Sequence, residues 1–172
     1  MKNTAINTLA YTGVVTLSQY IGQKKYKVAT LHNEGGNSLF NFLADCLVGD
    51  FTIARSNKPS KIMLISRTAN GSGDYTYTSA SGFIFLLTDP EKVYDVASSG
   101  LNCRVRYSFI IPQDMIEGIS LDNLGIGLYS YSETAPEAFA AYCELGVTTN
   151  SLINTALVVD WELIISNSSV QE

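Results

Sequence analysis

The strictest constraint on this chain is the alternation in its last long apolar run. Within residues 157–165, Leu157, Val159, Trp161, Leu163 and Ile165 share one parity, and Asp160 and Glu162 share the other. A period of two sends the first set to one face of a strand and the acids to the opposite face. Residues 103–111 follow the same rule, with Cys103, Val105, Tyr107, Phe109 and Ile111 set against Arg104, Arg106 and Ser108. Pro112 ends that run, because it has no N–H to give to a ladder. Leu124, Ile126 and Leu128 alternate with Gly125, Gly127 and Tyr129 in a third strand.

Other segments read as strands by different signs. Ile62, Met63, Leu64 and Ile65 are apolar without alternation, as expected of a strand covered on both faces. Residues 83–87 form a second such run, closed by Asp89 and Pro90. Residues 14–20 and 26–31 flank IGQKK and predict a hairpin, with Lys24, Lys25 and Lys27 solvated at its tip. A short strand is expected at 51–54. Residues 68–82, rich in Gly, Ser, Asn and Tyr, read as an exposed loop or flexible hairpin carrying Tyr75 and Tyr77. The first twelve residues have no periodicity and are expected to form an arm.

Residues 134–146 fit two patterns. Thr134 to Glu137 has the spacing of a capping box, with Pro136 where helices often begin, and Phe139, Tyr142, Cys143 and Gly146 suit a helical stripe. Phe139, Ala141, Cys143, Leu145 and Val147 also alternate. The strand reading is preferred because both neighbours are strands.

One convincing helix stands apart. In residues 37–48, Leu39, Phe42, Leu43, Cys46 and Leu47 recur at helical spacing, with Asn41 and Asp45 facing away. Asn37 or Ser38 is expected to cap its start and Gly49 to end it in the αL conformation. So wide a stripe must cover something, and the strand at 62–65 is a candidate partner. Many strands and one helix predict an all-β fold: an antiparallel sandwich or jelly-roll-like domain over residues 1–172, with the helix packed on its core and an arm at about 1–12.

Composition narrows the function. The charged share is 16%, below the roughly 25% of an average domain, and neutral polar residues are plentiful, which suits surfaces that bury against partners. A net charge of −5 argues against a nucleic-acid footprint. Cys46, Cys103 and Cys143 are odd in number and widely spaced, so they read as reduced small hydrophobes and not as a disulfide or metal framework. The N-terminal residues do not read as a secretory signal, and no apolar run reaches membrane-spanning length.

Catalytic signals are weak. His32 is the single histidine and precedes Asn33, Glu34 and the pair Gly35 and Gly36. A small hydrolase centred on it is a third reading, but no GxSxG context supports a nucleophile, and His32 is expected to be a strand-end residue. Asp160 and Glu162 share a face as acids on solvated sheets do. Asp74 within NGSGD lacks the repeated acids of an EF-hand, so no metal or cofactor is expected.

The succession GIGLYSYSE, AFAAYCELGVTTN and LVVDWELIISN, across about residues 120–167, resembles the C-terminal part of β-sandwich structural proteins of tailed bacteriophages. That resemblance implies a non-enzymatic virion subunit, such as a capsid decoration, head-fibre or tail-associated protein. Such a subunit is made in the host cytoplasm and acts by assembly with other virion subunits or with copies of itself. Tyrosine joins large contact area to small entropy loss, so Tyr75, Tyr77, Tyr129 and Tyr131, with Lys24 and Lys25, are the candidate contact residues. The alternative is a carbohydrate-binding module or adhesin whose loop tyrosines hold a host-surface glycan.

Overall fold

A computed structural model of the chain describes residues 6–49, 58–72, 74–80, 82–86, 90–97, 100–117, 124–146 and 155–170. The alternating runs at 103–111 and 157–165 pair in one antiparallel sheet, which the N-terminal segment joins. β1 (Ile6–Ile21) pairs with β11 (Leu157–Val170) from Ile6 opposite Val170 to Gln19 opposite Leu157. On the far side of β11 lies β8 (Gly100–Ile111), followed by β7 (Glu91–Ala97), and on the far side of β1 lies β2 (Lys24–His32). Residues 6–12 are therefore not an arm: they form the first half of β1. Ladder hydrogen bonds to 164–170 order them, and such bonds need no apolar period.

The second sheet has the order β3, β10, β9, β4, β5. These are β3 (Glu34–Gly35), β10 (Ala141–Glu144), β9 (Leu124–Ser130), β4 (Pro59–Ala69) and β5 (Tyr75–Ser79). A two-residue strand, β6 (Ile84–Phe85), pairs with the beginning of β4, so the run at 83–87 contributes only a short edge. The strand reading of 134–146 holds at β10, preceded by a turn at Pro136 and Glu137. The short strand expected at 51–54 lies outside the described residues.

Between the sheets, Val15, Leu17, Tyr107, Phe109, Ile111, Leu157, Val159 and Trp161 meet Ile62, Leu64, Leu124, Ile126, Leu128, Ala141 and Cys143 in one buried core. This is an all-β sandwich of two antiparallel sheets. The charged parity of β8 and β11 points away from that core, as the alternation requires. Glu162 binds Arg106 at 2.7 Å and lies 3.7 Å from Arg104, while Asp160 accepts hydrogen bonds from Ser108 and Lys25.

Helix α1 (Asn37–Val48) begins at Gly36 and not at a side-chain cap from Asn37 or Ser38, since Gly36 occupies the N-cap with no capping side-chain bond. Gly49 does end it in the left-handed region, at φ 79°. Leu39 is buried in the main core, and Phe42 and Leu43 pack partly against it. Leu47 and Val48 are 88% and 78% exposed, so the expected stripe is seated only through its first two turns. A single helical turn, α2 (Gln113–Ile116), follows Pro112. Of the three cysteines, all free, only Cys143 is fully buried; Cys46 and Cys103 are half-buried.

Candidate binding face

The outer face of the second sheet carries a layer of rings that the alternation of β9 makes room for. With Leu124, Ile126 and Leu128 turned into the core, Gly125 and Gly127 face outward beside Met63 and Ile65 of β4. A Cβ at Gly125 would overlap the Tyr142 ring, and one at Gly127 would overlap the Tyr129 ring. Those rings, with Met63 and Ile65, form a second buried cluster, against which Tyr77, Phe83 and Phe139 pack. Tyr77 meets Phe139 and Tyr142 edge to face at centroid distances of 5.1 and 5.6 Å, and Phe83 meets Tyr129 at 5.4 Å. The run at 62–65 is thus covered on both faces as expected, but its outer cover is this aromatic layer and not the helix.

A cation stands at each end of the layer. Arg67 of β4 lies over Tyr75 at 4.2 Å and Tyr142 at 5.0 Å, pairs with Glu144, and lies 3.5 Å from Glu34. Burial alone would lower its pKa, but Glu144, Tyr142, Tyr77 and Glu34 together raise it, so its charge is fixed. At the other end Lys61 is buried, lies 3.8 Å from the centre of Phe83, and donates to the carbonyls of Tyr131, at 2.9 Å, and Glu133. Its pKa is lowered by burial, against the opposing pull of Glu133. Charge held over ring faces in this way is a cation–π contact.

The candidate tyrosines divide on this face. Tyr75 and Tyr77 lie on strand β5, which forms a hairpin with the end of β4, the second of the two forms expected for residues 68–82: Tyr75 is half-exposed over Arg67, and Tyr77 is built into the layer. Tyr129 is fully buried, and its hydroxyl donates to the Pro136 carbonyl at 2.7 Å, so it is a packing residue. Tyr131, just past the end of β9, is 71% exposed with its ring centre 6.2 Å from that of Phe85, itself 51% exposed. Lys24 and Lys25 belong to the other sheet, at the exposed tip of the β1–β2 hairpin, where Lys25 pairs with Asp160 at 2.6 Å.

Arg67, Lys61, Phe83, Phe139 and Tyr142 escaped the reading of the sequence as parts of a site. The one available signal was the pair of glycines alternating with β9 core residues, which marks a close approach from outside.

Two depressions adjoin the layer. One, of about 480 Å³, lies where the chain enters α1 and is lined by Glu34, Ser38, Asn41, Glu133, Glu137 and Phe139, among others. The other, of about 160 Å³, is lined by Leu31, His32, Glu34, Tyr142 and Glu144. His32 ends β2 as expected, opposite Val14, and among the described residues the depression beside it is lined by Leu31, Glu34, Tyr142 and Glu144. Among the described residues no group of three or more His, Cys, Asp or Glu is placed to hold a metal ion, and no helix is long and apolar enough to cross a membrane.

No family model, no curated protein and no solved structure matches the chain.

Proposed function

We propose that this chain is a non-enzymatic structural subunit of a bacteriophage virion that works by assembly with other subunits, the reading to which the C-terminal resemblance leads. The observation that carries it is the uncovered pair Phe85 and Tyr131, two neighbouring rings left in solvent on the outer face of the second sheet. Scattered exposed apolar residues need no explanation, but adjoining large rings are the composition of a contact surface. Tyr75, with its ring against Arg67, stands at the other end of the same side of β4, opposite Ala69, where Phe85 is opposite Lys61. Sheet edges of this kind are themselves pairing templates unless a partner or a charge covers them.

The test is incorporation. Phe85→Ser and Tyr131→Ser, supplied to particles lacking the native chain, are expected to leave Trp161 fluorescence and unfolding unchanged and to remove the subunit from purified particles. Undiminished incorporation of both variants would overturn the role of this surface.

A second reading, glycan recognition, is supported by the half-exposed Tyr75 ring, which offers a flat face beside a fixed guanidinium. Retention on a glycan array that Tyr75→Ala abolishes is its expected result. Tyr77 is packed under its neighbours and serves that reading only as support.

A further inference from the structure

Two surfaces at opposite ends of β2 differ in the sign of their charge. The tip of the β1–β2 hairpin exposes Tyr20, Ile21 and Tyr26 at 48%, 45% and 47%, together with Lys24, Lys25 and Lys27. Pairing sets Ile21 opposite Lys24 and Tyr20 opposite Lys25, so apolar and cationic groups share one narrow finger. Three cations there are notable in a chain whose net charge is −5. At the other end of β2 the chain passes through β3 into α1, and there lies the groove of about 480 Å³ lined by Glu34, Glu133, Glu137, Ser38, Asn41 and Phe139. Among the described residues no Lys or Arg lines it, and Arg67 lies 3.5 Å from Glu34 at one side.

We infer that the basic hairpin of one copy docks in the acidic groove of the next. The occupant follows from three observations. The groove is acidic with an aromatic residue in its wall, and the finger is basic with aromatic and aliphatic side chains at its tip. The groove volume lies within the roughly 300–1,000 Å³ of cavities that accept drug-sized ligands, enough for one or two side chains. Nine residues of β2 at about 3.3 Å each put roughly 30 Å between the two surfaces, so a chain does not fill its own groove. A contact between two different patches of identical chains is heterologous, and it closes into a ring or extends as a fibre. The inference rests on the assembly reading and names the partner, a second copy, and the surfaces used.

The experiment is charge exchange followed by sedimentation velocity on the full chain. Lys24→Glu/Lys27→Glu reverses the finger while sparing the Lys25–Asp160 pair, and Asn41→Lys/Glu133→Gln/Glu137→Lys, which leaves one acid against two lysines, reverses the groove while sparing Glu34 and the backbone carbonyl at position 133. The native chain is expected to associate with rising concentration and to dissociate in high salt, because opposed charges at an exposed contact are screened. Each of the two variants is expected to stay monomeric with native circular dichroism, and an equimolar mixture of them to associate again. A native chain that remains monomeric at high concentration, or a mixture that fails to recover association, would overturn the inference. So would variants that associate as the native chain does. None of these results touches incorporation through Phe85 and Tyr131, so the broader assembly reading stands or falls separately.

Discussion

The ring of Tyr142 fills the space that a side chain at position 125 would need, since a Cβ on Gly125 would overlap its ring carbons and hydroxyl. Tyr129 stands in the same relation to Gly127. Gly125→Ala and Gly127→Ala are therefore expected to destabilise the fold by about 1–3 kcal/mol each through overpacking. Gly71→Ala, with nothing within 4 Å of its Cβ, is expected to change stability by less than about 0.5 kcal/mol. Urea unfolding followed by Trp161, the chain's single tryptophan and fully buried, measures all three.

Along α1 the cost of truncation should fall from the first turn to the last. Leu39, 3% exposed in the main core, is expected to cost about 2–5 kcal/mol when changed to alanine. Leu43→Ala should cost less, because Leu43 is only partly buried. Leu47→Ala should be within about 0.5 kcal/mol of the native chain. Equal losses at Leu39 and Leu47 would contradict the seating of the helix.

Arg67 holds Glu144 and Glu34 from a side chain only 15% exposed, whereas both acids are mostly solvated. Arg67→Ala should cost about 1–2 kcal/mol, more from the stem and ring contacts than from ion pairing, which is weak at solvent-exposed carboxylates. Glu144→Gln should therefore cost well under 1 kcal/mol. The two are compared by the same unfolding assay.

Alkaline pH should weaken the fold. Burial pushes the phenols of Tyr11 and Tyr142 and the thiol of Cys143 up to about 12, and raises Tyr107 and Tyr129 as well. In the unfolded chain these groups deprotonate near their ordinary values, 10.0 for a phenol and 9.0 for the thiol, while the folded chain keeps its protons. The unfolded state then binds fewer protons, so the stability they contribute is present below pH 9 and is lost as pH rises toward 12. Each divergent group removes about 1.4 kcal/mol per pH unit. Lys61, whose pKa is lowered by burial, acts in the opposite sense and offsets one of them. Unfolding free energies at pH 8, 10 and 11 should fall in that order.

How far the sequence disclosed this arrangement depended on whether a side-chain period was needed to build it. Arg104, Arg106 and Glu162 share an outer face because β8 and β11 are buried on one side only, and parity alone reveals that. Ile62 to Ile65 announced burial on both faces, but not what the second cover was. Tyr129 and Tyr131 have the same parity and opposite fates, since one lies within β9 under Phe83 and the other just past the strand end. Residues 6–12 and the edge strand β7 are held by backbone pairing, which leaves little trace in side-chain order. The helical stripe was read correctly as a pattern, yet a pattern does not say how much of its length finds a surface to cover.

The central claim is that the chain is a particle subunit, and its copy number tests that most directly. Quantitative mass spectrometry of purified particles from the source, with labelled peptides of this chain and of the major shell protein, should return a fixed stoichiometry. A ratio near one would make it a shell decoration, and a few copies per particle a neck, tail or fibre component. Complete absence from the particles would contradict the account.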